Sequence, residues 1–251
     1  MRTGTHILVL GPVAAYGQAG PIPVGGRVAR TLLAALVISA NRAVSCDALI
    51  DAVWGETPPP TVQTTLQSHV SKLRTVVGSG AIERINRSYR LVASCRQIDA
   101  CEFERLVSDA ELTLAQDPRT ARATIAAGLD LWRGPPFGDL AGEPFCQLEA
   151  RRLDELRLAA EEIALEADLD LQRHAEVIPG LQAAVSDQPY REHRWYLLMR
   201  ALSEAGRRVE ALRAHEELCA TLGELGLRPT ASLDELADDI AMGTVAGAGA
   251  C

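Results

Sequence analysis

Apolar positions in the first 25 residues come in short runs rather than at helical spacing. His6 to Leu10 is followed by Gly11-Pro12, and Val13 to Tyr16 by a turn from Gly17 to Gly20. Ile22 and Val24 then alternate with Pro23. Runs of this length, bounded by glycine and proline, predict short strands. The period then changes. Leu32, Leu33, Leu36 and Val37 share one face of a helix predicted over 27–40 and ended by Asn41-Arg42. Ser45 suits the N-cap of a second helix, Cys46 to Trp54, with Leu49, Ile50 and Val53 inward and Gly55 as its stop. Pro58-Pro59-Pro60 stiffens the following loop. With Thr61 as N-cap, Val62, Leu66, Val70, Leu73 and Val77 recur at steps of four, four, three and four. At about 100° per residue they fall within a stripe of about 80°. Gly78 closes this third helix. Ile82 to Ile85 and Tyr89 to Val92, joined by Asn86-Arg87-Ser88, predict a hairpin.

Strands, three helices and a hairpin together read as a winged helix-turn-helix with a small N-terminal sheet, an α+β domain over 1–97. From 98 to 251 the pattern is all helical, with helices predicted over 99–116, 119–132, 144–172, 174–187, 191–205, 207–223 and 232–241. The run 144–172 places Phe145, Leu148, Leu156, Ile163 and Ala167 at helical spacing. Trp132-Arg133-Gly134-Pro135-Pro136 breaks the series. Arg173-His174-Ala175-Glu176 and Arg207-Arg208-Val209-Glu210 repeat at an offset of 34 residues, and Ile178 and Leu212 keep that offset. Thirty-four is the tetratricopeptide period, so a tetratricopeptide-like (TPR-like) helical domain is expected. The small residues from Gly243 to Cys251 are expected to fray.

Composition narrows the class. Hydrophobic residues make up 47% and charged residues 23% of 251, which excludes disorder as the main state. No run of 18 apolar residues exists, and the N-terminus lacks the apolar stretch of a signal peptide. No membrane partner and a cytoplasmic, nucleoid-associated location are therefore expected. The net charge of −8 hides a split. Residues 1–97 carry ten Arg and Lys against four Asp and Glu, whereas 98–251 carry fifteen against twenty-nine. A basic front and an acidic back point to different partners. The six cysteines show no metal-ligand spacing and are expected to be reduced thiols. No cofactor or metal is expected. Gly11, Gly17 and Gly20 lack the Lys-Ser/Thr and the strand–loop–helix setting of a phosphate loop.

The third helix suits a reader of base edges, which needs one apolar face anchored in a core and short hydrogen-bonding groups on the other. Its polar face carries Thr64, Ser68, Ser71, Lys72 and Thr75, flanked by Gln67 and Arg74, with His69 near the edge of the apolar stripe. No acid occurs from 58 to 81, where an ordinary solvated face would mix charge signs. Gln67 can bond adenine, and Lys72 and Arg74 can meet guanine or phosphate. Arg84, Asn86, Arg87, Tyr89 and Arg90 make a basic hairpin fit for a minor groove or phosphates. Elsewhere the bland readings prevail. His174, His193 and His215 lack metal-ligand company, Trp132, Trp195 and Tyr196 read as core, and no nucleophile–base set marks an enzyme.

The segments Leu10-Gly11-Pro12-Val13, Ala40-Asn41-Arg42-Ala43-Val44-Ser45, Leu49 to Gly55 and Thr65 to Arg74 resemble the Streptomyces antibiotic regulatory proteins. So do Leu131 to Pro135, Glu143-Pro144-Phe145, Leu197 to Leu202 and Glu224 to Pro229. The resemblance spans about residues 5–241. It implies an OmpR/PhoB-type winged helix followed by a bacterial transcriptional activation domain, in a transcriptional activator of a secondary-metabolite gene cluster. It also implies binding to direct repeats of double-stranded DNA near the −35 element, side-by-side protomers, and engagement of RNA polymerase and its sigma factor. By the family's motif, Gln67, His69, Ser71, Lys72 and Arg74 carry the recognition helix and the wing lies around Arg87. The rigid, solvated loop after the second helix, with Glu56, Thr57, Pro58 and Pro59, is the expected polymerase contact. Two positions depart from the pattern. Asn86-Arg87-Ser88-Tyr89 replaces Pro-Pro-Gly-Tyr, and Lys72 stands where arginine is common. The nucleotide-binding and sensor domains of larger members are expected to be absent. The alternative is a helical scaffold whose winged helix binds protein, since fold alone does not fix the partner.

Overall fold

The computed structural model describes residues 5–243. The chain opens with β1 (His6–Leu8), β2 (Ala14–Gly17) and β3 (Gly20–Ile22), an antiparallel sheet in that order with His6 opposite Tyr16 and Ala15 opposite Ile22. There follow α1 (Arg27–Ile38), β4 (Val44–Ser45), α2 (Cys46–Trp54), α3 (Val62–Val77), β5 (Ile82–Ile85) and β6 (Ser88–Leu91). The second sheet has the order β4-β6-β5, with Val44 opposite Tyr89 and Ile82 opposite Leu91. The helical part is α4 (Asp99–Leu114), α5 (Pro118–Leu129), α6 (Pro144–Asp170), α7 (His174–Asp187), α8 (Glu192–Glu204), α9 (Arg208–Gly223) and α10 (Ala231–Met242). A winged helix followed by helices is the architecture the periodicity predicts, with element ends within a few residues. The expected frayed tail at 244–251 lies outside the described residues.

Two compact units form. One comprises residues 1–109 and 126–159, the other 110–125 and 160–251. The first therefore holds the winged helix and more. α1 is its central helix, with Leu32, Leu33, Leu36 and Val37 buried and α2, α3 and β6 against it. Ser45 caps α2 as predicted, its Oγ accepting from Ala48 N at 3.1 Å. Burying each such leucine or valine contributes about 1.5–3 kcal/mol, so the α1 stripe and Leu49, Leu66, Val70 and Leu73 dominate the stability of this unit.

The N-terminal sheet is tied into the same unit by one carboxylate. Asp99 is 5% exposed, and its two oxygens accept from Val9 N at 2.7 Å and Leu10 N at 3.0 Å. Arg133 Nη2 donates to it at 3.2 Å, while Arg133 N and Phe137 N bond Leu10 O and Val9 O. Burial pushes the Asp99 carboxyl up from its ordinary value, with these donors pulling the other way. The close approach here needs Gly11. Its φ is +142°, and a Cβ on it would sit 2.9 Å from Arg133 Cβ. Trp132 stacks edge-on against Phe103 at 5.3 Å, with the Arg157 guanidinium 4.9 Å over its ring.

Two expectations fail in this unit. Leu148 is 82% exposed; the inward positions of α6 are Cys146, Ala150 and Leu153, one step round the helix. The cysteines are not all free. Cys95 and Cys101 are joined, because the 3-10 turn Cys95–Gln97 and the start of α4 bring their Cα atoms to 5.0 Å.

In the second unit α7 to α10 share one core of Val177, Ile178, Leu181, Trp195, Leu198, Met199, Leu202, Leu218, Leu233 and Ile240. The 34-residue repeat is structural. Gln172 and Gly206 both take left-handed φ, 62° and 76°, and α7 and α9 then start at residues 174 and 208. Arg194, 2% exposed, bonds Glu162 Oε1 at 3.0 Å, Ala184 O at 3.2 Å and Glu161 Oε2 at 3.3 Å. Arg191 shares Glu162 at 2.7 Å. A buried guanidinium with this many acceptors is paired rather than stranded.

Candidate nucleic-acid interface

α3 is built to show one face. Leu66, Val70, Leu73, Val76 and Val77 are buried. Thr64, Gln67, Ser68, Ser71, Lys72 and Thr75 are exposed in consecutive turns on the other side. The helix starts without a side-chain cap, and Thr65 Oγ1 bonds back to Thr61 O. Thr75 Oγ1 donates to Lys72 O at 2.7 Å. Two motif residues are less free. Arg74 is half-buried, and its Nε donates to Ile82 O at 2.9 Å, so it ties the helix to the hairpin. His69 is half-buried too, with Nδ1 shielded and unbonded. Burial, and secondarily Lys72, hold its imidazole below the ordinary value.

The hairpin turns on Asn86-Arg87, one residue tighter than predicted, with Asn86 at φ 54°. Asparagine tolerates that left-handed conformation, so the turn is made at the first residue of the tip rather than at Ser88, where the family's glycine would fall. Arg84, Asn86 and Arg87 are exposed. Tyr89 is not at the tip. It is 2% exposed and faces inward beside Val44, because strand alternation from Leu91 puts position 89 on the core side. It anchors the wing rather than touching a ligand. Arg90 is held by Glu83 Oε2, with Nε at 3.1 Å and Nη2 at 2.5 Å.

The sequence pattern missed Asp47. It stands in the first turn of α2, 3.7 Å from Arg87 Nη2, and Cys46 N bonds Arg87 O at 2.9 Å. An acid in the first turn of a predicted helix was legible; its wing partner 40 residues on was not. Glu56, Thr57 and Pro58 are exposed and Pro59 is half-buried in the loop between α2 and α3. Thr57 N bonds Trp54 O and Val62 N bonds Pro59 O, so the loop is short and fixed at both ends. Among the described residues no group of three or more His, Cys, Asp or Glu is placed to hold a metal ion. His174, His193 and His215 each face a carboxylate instead: Glu204 at 2.9 Å, Glu166 at 3.7 Å and Asp234 at 2.9 Å. No described helix is long and apolar enough to cross a membrane.

Residues 26–90 match the C-terminal region of transcriptional regulatory proteins, and residues 98–241 match the bacterial transcriptional activator domain. The regulatory protein DnrI of Streptomyces peucetius is 32% identical over 244 residues, covering 92% of this chain and 90% of its own. The chain belongs to the Streptomyces antibiotic regulatory protein family. It is a transcriptional regulator, and its relatives are named as regulators rather than enzymes. AfsR of Streptomyces coelicolor is 36% identical over 91% of this chain, which spans only 23% of AfsR. RedD of the same organism is 35% identical, with 68% of its length covered. The solved structure of Mycobacterium tuberculosis EmbR, in complex with a low-affinity phosphopeptide, superposes with a TM-score of 0.87 at 31% identity. It covers 95% of this chain and 65% of EmbR. This family member therefore has a winged helix of the OmpR/PhoB type followed by a bacterial transcriptional activator domain.

Proposed function

We propose that this regulator activates a secondary-metabolite gene cluster by binding direct repeats at its promoter. In this reading α3 enters the major groove with Thr64, Gln67, Ser68, Ser71, Lys72 and Thr75 outward, and Arg84, Asn86 and Arg87 meet the flanking backbone or minor groove. The observation that carries it is the acid-free exposed face of α3. Base edges need donors and acceptors, and phosphates repel carboxylates. Arg74 and His69 act from the flank of the helix, Arg74 mainly by holding the hairpin.

Two protomers then lie side by side on one face of the duplex, their helices about one turn, roughly 10–11 bp, apart. The loop Glu56-Thr57-Pro58-Pro59 and the acidic helices meet RNA polymerase and its sigma factor. Twenty-nine acids against fifteen bases in residues 98–251 favour a basic protein surface over DNA. Footprinting of genomic fragments with the purified full chain tests the reading. The expected result is protection of tandem sites with affinity that falls steeply with salt. Protection nowhere, with the protein folded, would favour a winged helix that binds protein.

A further inference from the structure

The segment between β6 and α4 holds a bond that the regulatory reading does not use. Cys95 opens the 3-10 turn Cys95–Gln97, Cys101 stands in the first turn of α4, and their sulfurs are joined. The family-matched regions end at residue 90 and resume at 98, so the bond closes the join between winged helix and activator domain. Everything it touches lies within one compact unit. On one side, Ser94 N and Oγ both donate to Gln97 Oε1, at 2.8 and 2.9 Å, fixing the turn. On the other, Asp99 is two residues before Cys101 and holds the Val9 and Leu10 amides. The bond thus links the exit of the hairpin to the carboxylate that anchors the N-terminal sheet.

The bond is accessible. Both cysteines are half-exposed, and both line a cleft of about 320 Å³ that Arg42 and Arg152 also border. Cys46 and Cys146 are buried. Arg152 is committed to Glu104 and Glu149, while Arg42 makes a single 3.4 Å bond to Ile38 O. Arg42 can therefore attract an anionic reagent. Cys101 stands in the first turn of α4, and its thiolate is the form that attacks in thiol–disulfide exchange.

We propose that Cys95 and Cys101 are a reversible oxidation site, closed by a small anionic disulfide and reopened by a dithiol, that sets how firmly the join between winged helix and activator domain is held. In the closing step the Cys101 thiolate attacks one sulfur of the small disulfide and expels the other as a thiolate. The Cys95 thiolate then attacks the Cys101 sulfur of the mixed disulfide and expels the second small thiolate. Two electrons pass from the cysteine pair to the reagent, and the two protein protons end on the released thiols. A dithiol reverses both exchanges and leaves as its own cyclic disulfide. Closing this short loop restricts the unfolded chain, so the oxidised form should melt on the order of 5 °C higher.

The test uses the full chain treated with glutathione disulfide or with dithiothreitol, then alkylated and mapped by mass spectrometry, with melting followed in parallel. The expected result is an intact 95–101 link after glutathione disulfide, two alkylated cysteines after dithiothreitol, and a melting temperature that follows the link back and forth. Cys95→Ser with Cys101→Ser should fix the melting temperature at the reduced value, and Cys219→Ser should leave the response intact. Arg42→Ala should slow closure by glutathione disulfide several-fold while sparing closure by an uncharged disulfide. The proposal is overturned if both cysteines stay alkylated after the oxidant, if dithiothreitol does not open the link, or if melting ignores its state. None of these readouts depends on DNA binding, so they fail or succeed apart from the proposed promoter.

Discussion

Arg87 at the wing tip and Asp47 in the first turn of α2 lie 3.7 Å apart, with side chains 80% and 75% exposed. An ion pair this open and this long contributes little in water. Arg87 can therefore leave Asp47 for a phosphate at small cost. Arg87→Ala is expected to weaken operator binding uniformly across sequences and to reduce the salt slope by about one. Asp47→Asn should leave affinity equal or slightly higher. Fluorescence anisotropy across a salt series checks both; an unchanged slope for Arg87→Ala would remove the wing from the interface.

Lys72 and Arg74 should part company, although both lie in the family's motif. Lys72 is exposed, so Lys72→Ala is expected to cost about 1–3 kcal/mol in operator binding with little change in stability. Arg74 bonds Ile82 O, so Arg74→Ala should lower folding stability by about 1 kcal/mol as well. Urea melts beside binding isotherms separate the two. Equal stability and unchanged affinity in both variants would sink α3 as the reading helix.

The tandem arrangement makes a geometric prediction. Adding about 5 bp between the repeats turns one protomer to the opposite face and should abolish cooperative binding and activation in vitro. Replacing Glu56 to Pro60 by Gly and Ser should abolish activation while leaving DNA affinity intact. Activation that survives the insertion counts against side-by-side protomers; activation that survives the loop replacement counts against the polymerase contact.

Glu162 anchors two guanidinium groups. Burial, the largest single effect, raises its carboxyl, but Arg191 and Arg194 together outweigh it and hold the group below its ordinary value. Its contribution to stability is then present above the unfolded value of about 4.5 and lost as pH falls through the lower folded value. Glu162→Gln leaves Arg194 short of a counter-charge and should cost on the order of 3 kcal/mol at pH 7. Denaturant melts at pH 7 and pH 3 should show the wild-type advantage shrinking with acid.

His193 titrates in the opposite sense. Glu166 beside it raises the imidazole above its ordinary value of 6.5. Its contribution is present below that value and fades as pH rises through the folded one. The difference in urea midpoint between wild type and His193→Gln should therefore narrow from pH 5.5 to pH 8.5. A constant difference would show that the pair does not form.

Helix positions were legible because each apolar stripe is local, and the 34-residue offset survives as matching left-handed residues at 172 and 206. The exposed face of α3 was legible for the same reason. Tyr89 belongs with Leu91 rather than with the tip: two residues apart on one strand, both face the core, and grouping Tyr89 with the turn overlooks that alternation. Leu148 was misread because much of α6's inward face is alanine, at 150, 160, 164 and 167, and small residues buried by close packing carry a weak hydrophobic signal. The Asp99 site could not be read, because its partners lie 90 residues away in sequence. The joined cysteines ran against an expectation taken from the cell compartment rather than from local geometry.

The Asp99 carboxylate also decides how this protein can be taken apart. Val9 and Leu10 depend on it, and Val9 O and Leu10 O depend on Phe137 and Arg133. Severing the chain after residue 97 would strip four backbone bonds from Val9 and Leu10, the residues that lead out of β1. A hybrid regulator that borrows promoter choice from a relative would have to import residues 126–159 along with the winged helix, so the smallest exchangeable cassette is discontinuous in the gene.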